Sequence, residues 1–289
     1  MKIITSSSEL QHLLASYKQD QVALVPTMGC LHEGHLSLIR KAKMLADIVV
    51  VSIYVNPLQF AANEDLDIYP QPFDEDAKLC EQEGVDFIFH PTNLYPEHGM
   101  NVGLHVNHLS ETLCGASRPG HFDGVVTVVN ILFNIVQPNI AIFGAKDFQQ
   151  LSIIRRMVSD LHMPVEIIEA ETVREADGLA KSSRNRYLNE QQHKQAAELS
   201  ACLRLMQKAA QQDQPLQKII EVGLEHLQTH KIQPDYLFIA SESTLQPVNS
   251  LDANELLRIF IAAPIGPARL IDNMPLYAAI EHEEPTPCA

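Results

Sequence analysis

The chain has 289 residues, a length typical of about two domains. With 46% hydrophobic and 20% charged residues, its composition is that of a globular protein and excludes disordered, collagen-like and coiled-coil classes. The formal net charge of −15 argues against nucleic acid as a partner, because a polyanion would be repelled.

The chain begins with an alternation of helix and strand patterns. Ser6 and Glu9 have the spacing of a capping box, and the apolar residues that follow recur with helical spacing. The short apolar run 22–25 predicts a strand, and residues 34–46 predict a second helix. Residues 48–55 are apolar on both faces and rich in β-branched side chains, as is typical of a central parallel strand.

The same alternation continues to about residue 185. It predicts helices at 73–84, 125–136 and 148–161 and strands at 85–89, 140–143 and 165–168. Residues 1–185 are therefore predicted to form one α/β domain built on an open, doubly wound parallel sheet.

The remaining sequence has a different pattern of predicted elements. It predicts helices at 191–210 and 216–229, followed by strands at 236–239 and 258–263. Residues 186–289 are therefore predicted to form a smaller α+β domain, and we expect its acidic end, residues 281–285, to be frayed.

The cysteines and the apolar runs bear on location. Five cysteines lie far apart without a CxxC pair, which argues against a disulfide framework and a thiolate zinc site. The N-terminus lacks the apolar run of a signal peptide, and no apolar stretch reaches the roughly 20 residues that a membrane span needs. We predict a cytoplasmic protein with no membrane partner.

Polar residues follow several of the predicted strands. Residues 27–35 follow the first strand, 56–59 follow the second and 144–150 follow a later one. Because ligands bind outside the carboxyl ends of the strands in an open α/β sheet, we expect these three segments to meet at one crevice.

His32 and His35 flank Gly34 at the start of a predicted helix, whose free N–H groups favour an anion such as phosphate. A zinc-protease HExxH motif is excluded because position 36 is Leu36, and a P-loop is excluded because His35 stands where lysine is required. The alternative is that both histidines are ordinary polar residues.

Residues 181–185 cluster two cations and two hydroxyls, a set that could clamp a polyphosphate or form an ordinary solvated turn. Residues 118–124 place further cations before a predicted helix, or simply cap it. Glu75 and Asp76, near the start of another helix, could hold Mg²⁺ through oxygen ligands or act only as partners of the helix dipole.

Six segments carry a pattern that is found together in one known family: residues 26–35, 55–60, 118–122, 143–147, 173–179 and 182–185. By these segments the chain resembles the pantoate–β-alanine ligase family of the nucleotidyltransferase superfamily. The resemblance implies a Rossmann-like sheet of nucleotidyltransferase type, with the two superfamily signatures at 32–35 and 181–184. Two positions depart from the family pattern: Cys30 replaces a small apolar residue, and Lys181 replaces Met or Leu.

The resemblance implies an acid–amine ligase that uses ATP and Mg²⁺. The pantoate carboxylate attacks the α-phosphorus of ATP and releases pyrophosphate, and the β-alanine amine then attacks pantoyl adenylate and releases AMP. It also implies a homodimer. Because an acyl adenylate hydrolyses in water, we expect the C-terminal domain to act as a closing lid.

The resemblance also implies roles for single residues. Catalytic groups that neutralise phosphate charge are His32, His35, Lys146, Ser182, Ser183 and Arg184. ATP-binding positions are Met28, Gly144, Lys146, Asp147, Lys181, Ser182, Ser183 and Arg184. Pantoate-binding positions are Asn56, Gln59, Tyr69, Arg118, His121 and Gln150.

Three alternatives stay open at the level of sequence. One is another adenylyl-transfer enzyme of the superfamily, acting on a phosphate ester. Another is a nucleotide-binding regulator that has lost catalysis. The third is a relative of tRNA synthetases, which the acidic net charge disfavours.

Overall fold

The computed structural model describes residues 1–60, 65–252 and 254–277. The acidic segment 281–285, predicted to be frayed, lies outside these residues. The chain divides into two compact units, Met1–Asn189 and Glu190–Ala289. The boundary predicted from the sequence lies between residues 185 and 186.

The first unit is a parallel sheet with helices between its strands. Its strands are β1 (Lys2–Ile4), β2 (Val22–Thr27), β3 (Ile48–Ile53), β4 (Phe87–Phe89), β5 (Ile140–Gly144) and β6 (Glu166–Ala170). Its helices are α1 (Ser7–Leu14), α2 (Glu33–Leu45), α3 (Phe73–Gln82), α4 (Leu113–Ser117), α5 (His121–Val136) and α6 (Phe148–Asp160). The order β1-β4-β3-β2-β5-β6, with every pair parallel, confirms the predicted open α/β sheet.

The core on one face of this sheet follows from the two-residue period of its strands. Residues 23–25 of β2 and 49–51 of β3 are all fully buried, and alternate residues, among them Val25 and Val51, belong to the core on this face. They pack with Ile39 and Ala42 of α2 and with Cys80 of α3 in one cluster. The central strands are therefore apolar on both faces, as the composition of β3 predicts.

Strand β2 is longer than predicted because it continues through Pro26. Its pairing with β3 extends to Thr27, whereas its pairing with β5 involves only Ala23 and Leu24. At Pro26 the strand has one neighbour, which lets the ladder tolerate a residue without an N–H. The polar residues that follow β2 therefore lie at the carboxyl end of the sheet.

Helix α5 begins at His121, four residues before the apolar pattern that predicted it. A Cβ atom at Gly124 would lie 2.3 Å from the carbonyl oxygen of Leu58, so only glycine allows this close approach. The helix thus packs directly on the 3₁₀ turn Pro57–Gln59 that follows β3.

The second unit confirms the predicted α+β class. It contains α7 (Glu190–Gln211), α8 (Leu216–Thr229), β7 (Tyr236–Ser241), β8 (Leu257–Ile265) and β9 (Ala268–Pro275). The three strands form an antiparallel sheet in the order β7-β8-β9. Strand β9 was not predicted, because buried Asp272 and Asn273 interrupt its apolar pattern. Among the described residues, no helix combines the length and apolar character needed to cross a bilayer.

Candidate functional site

The order of the strands reverses between β2 and β5. In open α/β sheets, ligands bind at such a reversal, in the crevice outside the carboxyl ends of the strands. A cleft lies at this position. The cleft has a volume of about 250 Å³. Its lining includes every residue predicted for catalysis, ATP or pantoate. These are Met28, His32, His35, Asn56, Gln59, Tyr69, Arg118, His121, Gly144, Lys146, Asp147, Gln150, Lys181, Ser182, Ser183 and Arg184.

The loop after β2 is held in a single shape by buried hydrogen bonds. The backbone N–H groups of Cys30 and Leu31 each donate to the Asp76 carboxylate at 2.7 Å. Gly29 has φ +81°, and a Cβ there would lie 2.9 Å from Asp76 Oδ2. Cys30 also has positive φ, at 53°. Asp76 therefore fixes a strained turn directly before the two histidines.

This bonding corrects the metal role predicted for Asp76. Its side chain is only 1% exposed, and both carboxylate oxygens already accept backbone N–H groups. Glu75 is exposed, and neither residue lines the cleft. Asp76 therefore holds the loop after β2 in place, and Glu75 and Asp76 do not fit a magnesium site.

The two histidines are joined to the N-terminus of α2 through their Nδ1 atoms. His32 Nδ1 accepts the N–H of Gly34 at 3.1 Å, and His35 Nδ1 accepts the N–H of His32 at 3.3 Å. A neutral imidazole that accepts at Nδ1 carries its proton on Nε2. The ring centroids are 4.1 Å apart.

Both histidines are neutral at physiological pH. Burial, followed by the charge of Lys146, lowers the pKa of His32 to about 4. Burial, followed by His32 itself, lowers the pKa of His35 to about 3. Each ring is therefore an uncharged hydrogen-bond donor through Nε2–H.

Gly34 is required by the position of the His32 ring. A Cβ at Gly34 would lie 2.9 Å from both Cε1 and Nδ1 of His32. Any larger residue would displace the ring that caps the helix. The glycine between the histidines is thus explained by packing against His32.

Cations surround the histidine pair. We call His32, His35, Lys146, Lys181 and Arg184 the basic cluster. The charges of Lys146 and Lys181 both act on the His32 ring. Lys181 also lies 3.5 Å from a carboxylate oxygen of Glu175.

Asp147 lies among these cations. Its carboxylate is 3.4 Å from Lys146 Nζ. Desolvation by itself would raise the pKa of Asp147, but the charges of Lys146 and Arg184 hold it below its usual value, and its side chain is half exposed. Asp147 is therefore an ionised acceptor beside the basic cluster.

The loop that carries Ser182 and Arg184 is anchored at both ends. Ser182 Oγ accepts the N–H of Arg184 at 3.3 Å and so caps the 3₁₀ turn Ser183–Tyr187. Asn185 Nδ2 donates to Glu175 Oε1 and to the carbonyl of Ala180, each at 3.1 Å. These bonds fix the loop on the wall of the cleft.

A second group, which we call the Gln59 cluster, consists of Asn56, Gln59, Arg118 and His121. Asn56 Nδ2 donates to Gln59 Oε1 and to the Gly124 carbonyl, each at 3.1 Å. Its Oδ1 accepts the N–H of Leu58 and the hydroxyl of Tyr95. These bonds use the donors and acceptors of Asn56 and hold the Gln59 side chain in place.

Arg118 and His121 are fixed by the backbone of Gln59. The Gln59 carbonyl accepts from Arg118 Nη2 at 3.2 Å and from His121 Nδ1 at 2.7 Å. The protonated Nδ1 leaves His121 Nε2 as an acceptor for Arg118 Nη1, 3.0 Å away. The guanidinium is therefore oriented at the cleft wall before any ligand binds.

Some lining residues were not predicted. Glu171, Thr172 and Val173 follow β6, so the rule applied to the other strands would have found them. The apolar wall from α5, which includes Val128 and Leu132, gave no sequence signal distinct from that of an ordinary core helix.

Cys30, the buried departure from the family pattern, has no exposed surface. Burial raises the pKa of its thiol, so the reactive thiolate is disfavoured. The groups available in the cleft are thus hydrogen-bond donors and cations, which suit an anion, and side-chain amides, which suit a polar acid.

Comparison with known proteins gives consistent matches over nearly the whole chain. A family model described as pantoate-β-alanine ligase matches residues 2–275. A pantothenate synthetase of Shewanella sediminis is 51% identical over 261 residues, covering 89% of this chain and 92% of that protein. A pantothenate synthetase of Thermotoga petrophila is 47% identical over 279 residues, covering 94% and 99%.

Solved structures agree with these sequence matches. The crystal structure of pantothenate synthetase from Thermus thermophilus matches with a TM-score of 0.91 at 41% identity, covering 96% of this chain and 100% of that one. The pantoate-β-alanine ligase of Francisella tularensis, complexed with β,γ ATP and β-alanine, matches with a TM-score of 0.79 at 34% identity, covering 96% and 98%.

Proposed function

The chain belongs to the pantoate–β-alanine ligase family, and on that premise we propose that its cleft activates pantoate as an acyl adenylate. The protein is an ATP-dependent ligase that joins pantoate to β-alanine in pantothenate biosynthesis. The observation that carries the proposed route is that the basic cluster and the Gln59 cluster line the same cleft.

Adenylation brings together two anions, a carboxylate and a triphosphate. Charge then builds on the α-phosphate and on the departing pyrophosphate, so the site must supply donors that are already oriented. We assign this task to Nε2–H of His32 and His35, with Lys146 and Arg184 supplying charge and Ser182 and Ser183 supplying hydroxyls.

The nucleotide is assigned to neighbouring groups. Asp147 is held ionised and is suited to accept hydrogen bonds from ribose hydroxyls. Gly144 leaves room for a close approach, because a Cβ there would meet only Leu38 Cδ2 at 3.8 Å. Met28 and Lys181 complete the predicted nucleotide contacts.

Pantoate is assigned to the Gln59 cluster and Gln150. Gln59 Nε2 contacts the sulfur of Met28, a weak acceptor that a substrate oxygen can replace. Gln59 and Gln150 supply amides without adding charge, and Arg118 supplies a fixed guanidinium for a carboxylate. Tyr69, whose ring packs 5.8 Å from that of Phe60, closes the lining.

The second step needs no protein nucleophile. The amine of β-alanine attacks the acyl carbon of the adenylate, the acyl–phosphate C–O bond breaks, and AMP departs with its electron pair. The amine proton is lost as the amide forms. The donors that held the α-phosphate also stabilise the leaving AMP.

Three further assignments extend the family resemblance. We propose that Mg²⁺ accompanies the ATP phosphates, since Mg²⁺ is commonly held by substrate phosphates and water. We propose a homodimer and a closing C-terminal lid. We propose a cytoplasmic location, which is supported by the four buried cysteines in the described part of the chain, since none of them forms a disulfide.

Exchange of labelled pyrophosphate into ATP tests the route. We expect the exchange to require pantoate but not β-alanine. We expect AMP formation to require both pantoate and β-alanine. Exchange that required β-alanine would overturn a free adenylate intermediate. Absence of exchange in an enzyme that forms pantothenate would do the same, because reversal of the first step would not occur.

The same assay separates the alternatives raised by the sequence. A nucleotide-binding regulator catalyses no exchange. An adenylyltransferase acting on a phosphate ester forms a stable dinucleotide instead of AMP. We expect neither outcome.

A further inference from the structure

The second unit contains a cluster of possible metal ligands that the ligase chemistry does not use. Glu198 of α7, His226 of α8 and His230, which follows α8 directly, each offer one ligand atom, and these atoms lie within 4.8 Å of one another. Within the described ranges, this is the one such group of three or more histidine, cysteine or acidic side chains.

The distances in this cluster fit a common metal ion. His226 Nε2 lies 3.0 Å from Glu198 Oε2, and His230 Nε2 lies 3.6 Å from the same oxygen. Ligand bonds of about 2.0–2.2 Å at tetrahedral angles place neighbouring ligand atoms about 3.3 Å apart. The two measured distances bracket this value.

The bonding of His230 leaves the correct atom available. Its Nδ1 lies 2.9 Å from the carbonyl oxygen of His226, which can only accept, so Nδ1 carries the proton. The Nε2 lone pair therefore points away from the helix backbone. A histidine that donates its other N–H to a carbonyl is the usual arrangement of a metal ligand.

The backbone of this segment is also fixed. Gln195, on the same helix as Glu198, donates to the carbonyl of His230 at 3.1 Å. The N-terminal half of α7, which carries Glu198, and the end of α8 are therefore tied together without any ion.

His226 supplies an independent observation. Its Nε2 is buried and has no hydrogen-bond partner among the described residues, although Glu198 Oε2 is only 3.0 Å away. The two atoms are thus close but not aligned with each other. Such an arrangement is expected when both lone pairs are directed at a third point between them.

We propose that Glu198, His226 and His230 bind a transition-metal dication of the zinc class, with water completing four-coordination. Imidazole nitrogens with one carboxylate favour zinc, cobalt or nickel, whereas Mg²⁺ prefers oxygen ligands only. His230 is 37% exposed and Glu198 is 29% exposed, which gives an ion an entry path. None of the three side chains is among the residues that line the cleft.

Titration of the full-length, chelator-treated protein with Co²⁺ tests the proposal. We expect a visible absorption band of four-coordinate cobalt, one equivalent per chain, that Zn²⁺ removes and Mg²⁺ does not. Zn²⁺ should also raise the thermal unfolding midpoint, because binding favours the folded state.

Variants locate the ion. In E198Q and H230Q we expect Co²⁺ affinity to fall at least about 100-fold, since losing a ligand exceeds the roughly 10- to 100-fold cost of losing a residue that only orients a ligand. H230Q removes the more exposed histidine and so spares packing. The controls are H12Q, an exposed histidine on α1, and H32Q, in the cleft.

Two results would overturn the proposal. One is a wild-type protein that shows no cobalt band and no Zn²⁺-dependent rise in unfolding midpoint. The other is a band that survives in folded E198Q and H230Q or disappears in H32Q, which would place the ion elsewhere. Retention of the band in both controls is the expected outcome.

Discussion

In the described part of the chain, histidine pairs at the start of α2 and at the end of α8 are bonded in opposite ways. At the start of α2, the Nδ1 atoms of His32 and His35 accept backbone N–H groups. At the end of α8, His230 Nδ1 donates to a backbone carbonyl. The first arrangement leaves N–H donors, and the second leaves a lone pair.

The difference follows from helix polarity. The first turn of a helix has unpaired N–H groups and the last turn has unpaired carbonyls, so each end selects one imidazole tautomer. A histidine at the N-terminal end is thereby prepared for an anion, and one at the C-terminal end is prepared for a cation. The same residue type thus suits the proposed phosphate chemistry in one unit and the proposed metal site in the other.

The largest expected effect comes from separating the two nitrogens of His35. Asparagine places an acceptor near the Nδ1 position but no donor at the Nε2 position, whereas glutamine does the reverse. We expect H35N to slow pantoate-dependent pyrophosphate exchange roughly 10²- to 10³-fold, the usual cost of losing one transition-state donor. H35Q should retain about tenfold more activity than H35N.

Thermal unfolding controls this comparison, because H35N keeps an acceptor for the His32 N–H. We expect its unfolding midpoint to stay near that of the wild type. Equal exchange rates for wild type and folded H35N would refute the donor role of His35.

Replacing the glycine between the histidines tests the geometry without removing a donor. In G34A the new Cβ would overlap the His32 ring, so the ring must rotate away. We expect a loss of about 10- to 100-fold in kcat/KM for ATP, since small misplacements cost up to about 10²-fold.

G103A is the matched glycine control, because a Cβ at Gly103 meets nothing within 4 Å. Its activity and stability should match those of the wild type. If G34A were as active as G103A, the placement of the His32 ring would not matter for catalysis.

The brace beneath the cleft loop provides the next test. D76N replaces one acceptor oxygen with a donor that faces a backbone N–H, so we expect unfolding to become easier by about 1–3 kcal/mol. The neighbouring E75Q, at an exposed position, should change stability by less than about 0.5 kcal/mol. Denaturant unfolding measures the stability of both variants. If D76N were as stable as E75Q, the hydrogen bonds to Asp76 would not stabilise the fold.

The last test concerns pH-dependent stability. The pKa values of His32 and His35 are lowered from 6.5 to about 4 and about 3, so below pH 6.5 the unfolded chain binds more protons than the folded one. The pair's contribution to stability is therefore full above pH 6.5 and declines as the pH falls toward about 4 for His32 and about 3 for His35.

Unfolding at about pH 7.5 and about pH 5 in wild type and H32N/H35N measures this contribution. The double variant should lose less stability between the two conditions than the wild type does. An identical loss in both proteins would mean that these histidines are not desolvated.

Most of the fold is predictable from local patterns, because buried parallel strands are continuous apolar runs. Strand β3 and helices α2, α6 and α8 lie within a few residues of their predicted positions. Strand β1 was missed because it has three residues, of which only Ile4 is buried. Such short edge strands are set by pairing with a distant strand, here β4, and not by their own composition.

The site is predictable where its residues follow strands, and unpredictable where contacts join distant segments. The loop after β2 and the residues after β5 could be located by the carboxyl-end rule. Asp76 was misassigned because the sequence shows a first-turn carboxylate but not the backbone of Cys30 that it contacts. Glu198 and His226 lie on different helices and gave no motif.

The uncharged state of His32 and His35 has a consequence for turnover. A donor without charge loses little when a polyanion leaves, whereas two further cations beside Lys146, Lys181 and Arg184 would hold the polyanion more tightly. We therefore expect the products to dissociate more easily than they would from a site with charged histidines. Each round of synthesis can then end without a separate step that neutralises the site.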